Sequence, residues 1–208
     1  MILAIETATE TCSTAIVHRG TILSERSLQE RNIHSERLLS LIDEVLKESG
    51  RGKNSLDAVA VSIGPGSFTG LRIGLSAAKG LAMALDLPLL IVPTLDGIAE
   101  AFRLQMHPVA PVTFCAMIDA KREEAFTAMY TVSREDIVLI GEYSIKLKRE
   151  IVADAGTMNA IVEQPMIRAS AVALLAERKE NKFAVTEFSV TEPLYLRDFV
   201  ATLPKSKV

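Results

Sequence analysis

Ile2-Leu3-Ala4-Ile5-Glu6-Thr7-Ala8-Thr9-Glu10-Thr11-Cys12-Ser13-Thr14-Ala15-Ile16-Val17 opens the chain, and its pattern returns in the second half as Val112-Thr113-Phe114-Cys115-Ala116-Met117-Ile118-Asp119. Each copy is an apolar run ending in an acid, then small or charged residues, then two more strand-like runs. These further runs are residues 12–17 and 21–28 in the first copy, and 125–132 and 137–145 in the second. Arg19-Gly20 has the composition of a hairpin turn. A repeat of pattern, without repeat of identity, predicts a duplicated, two-lobed α/β protein with a hinge near residues 95–110.

Working outward, residues 34–49 form an amphipathic helix, with Leu38, Leu41, Ile42, Val45 and Leu46 on one face and Gly50 as its stop. Residues 58–63 form a buried strand, followed by the loop Gly64-Pro65-Gly66-Ser67 and a long helix to about Leu85. A strand at 89–92 and a helix at 95–106 follow. The last third carries a helix over 169–179 and a closing strand and tail over 187–196. We expect an N-terminal lobe over 1–98 and a smaller C-terminal lobe over 99–208, whose tail packs back on the first.

The chain has 208 residues and a net charge of −3, and basic residues cluster only locally, as at Lys146, Lys148 and Arg149. A protein that grips nucleic acid unaided carries a basic face. Any service to RNA is therefore expected to rely on a partner for phosphate contacts. Cys12 and Cys115 lie in apolar runs far apart, which fits two reduced, buried thiols. No basic leader or membrane-length apolar run is seen, so the cytoplasm is expected. His18, His34 and His107 have no partner at ligand spacing, and no metal site is expected.

Gly64-Pro65-Gly66-Ser67-Phe68-Thr69-Gly70, between strand and helix, invites a phosphate-binding reading. It fails the known signatures. Leu71-Arg72 follows the last glycine where a P-loop has Lys-Ser or Lys-Thr, and Thr69 takes the third glycine position of a dinucleotide loop. The helix offers another reason for its glycines: Gly70, Gly74, Ala78 and Ala82 recur every four residues as a small-residue stripe. Gly70, Gly74 and Gly80 together cost on the order of 2–3 kcal/mol relative to Ala. Close approach of another element, internal or from a second protein, must offset this, and the pattern leaves both open. Leu71, Leu75 and Met83 add a second apolar stripe, and Leu39 and Leu46 widen the arc of the 34–49 helix beyond a single buried face. Glu6 and Asp119, at matching strand ends, are the carboxylates whose placement suggests chemistry. In a two-lobed phosphotransferase they would hold a metal–nucleotide across the cleft. As plain turn residues they would do nothing.

From Ser62-Ile63-Gly64-Pro65-Gly66-Ser67-Phe68-Thr69-Gly70-Leu71-Arg72-Ile73-Gly74 through Ala78-Lys79-Gly80-Leu81-Ala82, the chain resembles the TsaB (YeaZ) family of bacterial tRNA threonylcarbamoyladenosine biosynthesis proteins. The opening through Thr9 and Cys12-Ser13, Arg31 with His34-Ser35 and Leu38-Leu39, Ile118-Asp119-Ala120-Lys121-Arg122, and the closing Tyr195-Leu196-Arg197 share the resemblance. It is dense to about residue 130 and sparse beyond.

The resemblance implies the two-lobed actin/Hsp70-like (ASKHA) ATPase fold, with a second lobe that looks shortened between about residues 150 and 168. It also implies a degenerate site. Thr94 and Ile98 stand where the enzymatic relative TsaD has its metal-binding histidines, Glu6 stands for a more usual Asp, and phosphate-loop glycines are missing after Glu6 and Asp119. The implied role is a non-catalytic scaffold or activator in forming N6-threonylcarbamoyladenosine in tRNAs that read codons starting with A. The implied partners are a TsaD-type catalytic subunit, a TsaE-type ATPase and a second copy of the chain, with tRNA met only through the complex. The implied interface is His34, Leu38, Leu41, Ile42 and Val45 with Gly70, Leu71, Gly74, Leu75 and Ala78. No cofactor is expected to bind tightly, and ATP or ADP is expected only at the partner interface or in the assembled complex. The rival expectation is an independent ATPase or small-molecule kinase on the same fold, resting on Glu6 and Asp119. A peptidase is disfavoured, since no Ser, Cys or Thr is paired with a base.

Overall fold

The computed structural model describes residues 1–30, 33–157, 161–162, 166–185, 187–188 and 190–197; Arg31 and parts of the 150–168 stretch lie outside them. The opening run becomes β1 (Ile2–Glu6), antiparallel to β2 (Thr11–His18), which pairs with β3 (Thr21–Gln29). Arg19 and Gly20 both take positive φ, 49° and 73°, as a two-residue hairpin turn requires. Helix α1 (His34–Glu48) leads to β4 (Ala58–Ser62), parallel to β1, and α2 (Phe68–Leu85) leads to β5 (Leu89–Val92), parallel to β4. Ser67 caps α2, its Oγ accepting from the Gly70 amide at 3.2 Å.

After α3 (Thr94–Met106) the pattern restarts with β6 (Val112–Lys121), β7 (Glu124–Val132), β8 (Ile137–Leu147), α4 (Lys148–Thr157) and β9 (Ile161–Val162). α5 (Ala169–Arg178), the single turn α6 (Glu180–Phe183) and β10 (Ala184–Val185) follow. The sheets run β10-β5-β4-β1-β2-β3 and β8-β7-β6-β9. Strand β9 lies parallel to β6 as β4 lies parallel to β1. The order β3-β2-β1-β4 is thus repeated as β8-β7-β6-β9, and the repeat read from the sequence is a repeat of topology. The molecule has the two-lobed actin/Hsp70-like fold.

Among the described residues the second sheet has no counterpart of β5. Instead β10 joins the first sheet antiparallel to β5. The 98/99 divide falls inside α3, and residues 169–185 belong with the first sheet. The closing strand expected over 187–196 is not formed among the described residues. Pro193 lacks an amide, and the Leu194 amide binds the Ile63 carbonyl at 2.7 Å without a ladder.

Strands β1, β4 and β5 of the first sheet are buried on both faces, which is why they read as near-continuous apolar runs, whereas the edge strand β3 is largely exposed. Leu3, Ile5, Val59 and Val61 face α1 and α2, while Ala4, Ala15, Ala58 and Ala60 face inward. Those inner alanines let α5, with its own Ala169, Ala173 and Ala176, lie close on the sheet. Helix α3 is enclosed between the lobes, with Leu95, Ile98, Ala99 and Phe102 buried and Phe102 stacked on Phe114 at 4.1 Å.

Two carboxylates go inside with it. Asp96 Oδ1 accepts from Tyr130 (2.8 Å) and Tyr143 (2.7 Å), and its Oδ2 lies 3.2 Å from Lys182 Nζ. Glu100 is held by Arg103 and by Arg178, each at 2.7 Å. Buried charge is tolerated only when paired and hydrogen-bonded, as here.

The small-residue stripe of α2 packs inward. A Cβ on Gly70 would sit 2.1 Å from the Thr7 carbonyl oxygen, and one on Gly74 2.1 Å from Thr7 Oγ1. Gly80 points the other way, with nothing within 4 Å. Alanine substitutions at Gly70 and Gly80 should therefore shift stability in opposite directions. Gly80→Ala should gain about 0.5–1 kcal/mol through helix propensity. Gly70→Ala should lose ~1–3 kcal/mol through overpacking against backbone. Urea midpoints measure both, and a gain at both positions would disprove the close approach.

Candidate functional site

Two features of this fold are open to a ligand or partner: the cleft between the lobes and the outer side of α1 and α2. The cleft has a volume of about 910 Å³. Its first-lobe wall is built from the turn after β1 (Ala8, Thr9) and the starts of α1 and α2, and its second-lobe wall from the end of β6. The α2 start presses against the β1–β2 turn because Gly66 and Gly70 lack side chains there. A Cβ on Gly66 would lie 2.3 Å from the Ala8 carbonyl oxygen.

Glu6 does not face Asp119 across the cleft, the arrangement that the phosphotransferase alternative requires. It is fully buried beneath the turn and is not among the cleft-lining residues. Its Oε1 accepts from the Ala8 amide at 2.7 Å, while Oε2 has no hydrogen-bond partner among the described residues. Ser62 Oγ is near enough to favour the carboxylate, but it too makes no hydrogen bond of sound geometry. Burial pushes the Glu6 pKa up to about 7, and Ser62 and the Ala8 and Thr9 amides offset only part of this.

Asp119 does line the cleft, at its rim. The Lys121 amide (2.9 Å) is the main cause that holds its carboxyl below the usual range, with the Lys121 and Lys148 ammonium groups (3.2 and 3.3 Å) adding to it. The physical reason for the asymmetry is register. Glu6 lies on the inner face mid-sheet, beside β2 and β4, whereas Asp119 sits at a bulge where β6 runs out into solvent.

The residues expected to form the partner interface are mostly inside the molecule. Leu38, Leu41, Ile42 and Val45 pack into the core under α1, and Gly70, Leu71, Gly74, Leu75 and Ala78 are buried on the inner side of α2. They are corrected here to core positions, because the four-residue stripe matches the side of α2 that lies on Thr7 and the sheet. His34 is half-buried at the cleft edge, and its buried Nε2 has no hydrogen-bond partner among the described residues.

The outer side is made by other residues. Leu39 and Met83 are 65% and 68% exposed, and Ile73, Ala77 and Leu81 are half-buried beside the open Gly80. The signal was present in the sequence as the apolar residues in excess of one face (Leu39, Leu46, Met83) and as Gly80, out of phase with the inner stripe.

Thr94 and Ile98 are both buried, and Thr94 Oγ1 accepts from the Gly64 amide at 3.0 Å. Among the described residues no cluster of three or more His, Cys, Asp or Glu is placed to hold a metal ion. Both cysteines are buried, and burial, aided by the Glu6 charge, pushes the Cys12 thiol up to about 11. No described helix is long and apolar enough to cross a membrane.

The raised Glu6 pKa has a thermodynamic consequence. Between about 4.5 and 7 the folded chain keeps a proton that the unfolded chain releases, so rising pH across this window favours unfolding. Relative to Glu6→Gln, the wild-type chain should lose on the order of 3 kcal/mol between those limits and little beyond. Denaturant titrations of both proteins across the window measure it, and a pH-independent difference would show that the buried acid does not titrate there.

A family model described as TsaD, tRNA N6-adenosine threonylcarbamoyltransferase, matches residues 21–168, well over half of the chain. The tRNA threonylcarbamoyladenosine biosynthesis protein TsaB of Haemophilus influenzae is 42% identical over 125 residues, 60% of this chain and 51% of that protein. TsaB of Escherichia coli is 39% identical over 152 residues, 73% of this chain and 64% of that protein. The chain thus spans between half and two-thirds of the length of these two curated relatives. The solved structure of YeaZ from Pseudomonas aeruginosa superimposes with a TM-score of 0.79 at 27% identity, covering 94% of this chain and 99% of that one. The match over residues 21–168 places the chain in the family that the TsaD model describes, and the curated relatives and the solved structure to which it is similar are named TsaB and YeaZ.

Proposed function

We propose that this chain is a non-catalytic subunit in the formation of N6-threonylcarbamoyladenosine in tRNAs reading codons that start with A, pairing with a TsaD-type catalytic subunit through the outer side of α1 and α2. The observation that carries this is the state of the two candidate carboxylates. A metal-bound nucleotide needs carboxylates presented to the cleft. Glu6 is sealed beneath it, and Asp119 is engaged by Lys121 and Lys148. The cleft keeps the form of an ATPase while its acids are turned to other uses.

The outer side of α1 and α2 has the chemistry of a helix–helix contact. Ile73, Ala77 and Leu81 are half-buried apolar residues of α2, and Gly80 beside them is bare. Leu39 adds exposed apolar surface from α1. Small residues let a facing helix approach closely, and two helices from each protein would bury the apolar excess in a four-helix contact. The same surface can pair with a second copy of the chain, so the catalytic subunit and self-pairing compete for it. A TsaE-type ATPase and tRNA join through that complex, consistent with the weak net charge of −3. The chain works in the cytoplasm and holds no nucleotide tightly by itself, with ATP or ADP bound only at the partner interface or in the assembled complex.

A second reading, an independent ATPase or small-molecule kinase, draws on the size of the cleft, which at about 910 Å³ would admit a nucleotide. Magnesium-dependent ATP binding by the isolated chain, followed by calorimetry, would favour it. For the subunit reading, Ala77→Arg should weaken association with a TsaD-type partner by roughly tenfold or more, the scale of a buried unpaired charge, while leaving the melting temperature nearly unchanged. Sedimentation of the mixed proteins measures this, and full-strength association of the variant would exclude the outer face as the contact.

A further inference from the structure

The closing motif Tyr195-Leu196-Arg197 has no part in either surface described above, yet its contacts reach both lobes. The Leu194 amide donates to the Ile63 carbonyl at 2.7 Å. The Leu194 carbonyl oxygen lies so close to the next loop that a Cβ on Gly64 would be 2.7 Å from it. Lys79 Nζ donates to the Thr191 carbonyl at 2.6 Å, and Arg72 Nε to the Tyr195 hydroxyl at 3.2 Å. The Tyr195 ring lies 5.2 Å from that of Phe68, over which the Arg72 guanidinium stacks at 3.8 Å. All these contacts are to the first lobe, along α2 and the loop before it.

Two residues on, the partners change lobe. Arg197 donates to the Ala120 carbonyl at 3.1 Å and forms an ion pair with Glu124. Ala120 lines the cleft from the second lobe, and Thr69 and Gly70, beside Phe68, line it from the first. The segment therefore ties one cleft rim to the other.

We infer that residues 190–197 are a strap across the interlobe cleft, and that Arg197 is the latch that sets its opening. The inner joints between the lobes are built differently, while the pairs that Arg178 and Lys179 make with Asp136 are solvated like the strap's. Asp96 and Glu100 are buried inside the molecule, whereas the side chains of Arg197 and Glu124 are 33% and 34% exposed. Local opening begins where contacts are few and solvated, so at the cleft rim the strap yields before the buried joints of α3 do. A bidentate-capable guanidinium suits the position because it reaches a carbonyl and a carboxylate together, which an ammonium on a single stem does not do in fixed geometry. Arg197 is in this sense a positioning residue for both rims.

Hydrogen exchange on the full chain, with spin-label distances between Lys53→Cys and Arg122→Cys, tests this. Both positions are exposed, while the native thiols are buried and escape labelling. In Arg197→Ala the 119–124 turn amides should exchange roughly tenfold faster, the scale of losing one charged hydrogen bond, with the label distances longer and broader. Amides of β1 and β4 should keep their rates. Should Arg197→Ala loosen those strands too, Arg197→Lys decides, since it keeps the charge but not the double contact. Faster turn exchange in that variant, confined to the cleft rim, supports the latch. Wild-type turn rates and label distances, with only the strap's own amides accelerated, would overturn it.

Discussion

Two carboxylates one helical turn apart on α3 hold this molecule in its shape. Asp96 collects the hydroxyls of Tyr130 and Tyr143 from the second sheet and Lys182 from α6, and Glu100 collects Arg103 and Arg178. Arg178 also reaches the Glu135 carbonyl in the turn between β7 and β8. Each acid therefore gathers groups from segments far apart in the chain, and each is buried, so losing any partner leaves a charge or hydroxyl unsatisfied in a medium that penalises it. A single helix with two such centres fixes the relation of the two sheets more firmly than apolar packing alone, which is tolerant of sliding.

With the sheets fixed, α2 acquires two unlike sides. Its inner side has lost its side chains at Gly70 and Gly74 so that helix backbone can sit on the Thr7 turn. That seat brings the α2 start to the cleft wall and closes the cover over Glu6. Its outer side carries Ile73, Ala77 and Leu81 beside an unobstructed Gly80. One helix thus serves internal packing with one stripe of small residues and leaves a second stripe outside. Glycine is costly in either place. Inside, the cost is offset by contacts that a Cβ would forbid. Outside, no contact among the described residues offsets it.

The paired strand-end acids illustrate how a duplicated architecture diverges. Both end a first strand, and in a symmetric phosphotransferase both would face the cleft. Glu6 lies beside Ser62 at the centre of a sheet covered on both sides, where desolvation favours its protonated form. Asp119 lies on a solvated bulge, where the Lys121 amide and two ammonium groups keep it ionised. The same residue class at equivalent positions has opposite protonation tendencies because one sheet is covered and the other runs out at its edge.

Period and composition were enough to determine the repeated order of elements that opens each half, the helix over 34–49 and the long helix that ends near Leu85. These depend on local preference and on which faces must avoid water, and both are written in the order of residues. The resemblance carried by Ser62 to Ala82 extended this to a family. The side on which the glycine stripe lies, the depth of Glu6 and the partners of Asp96, Glu100 and Arg197 were decided only in three dimensions. A spacing of four states that residues share a face but not what that face meets. An acid's charge state depends on neighbours brought to it by folding, and a strap's two anchors are separated by most of the chain. Those are properties of distance, and distance between remote segments is settled by tertiary structure.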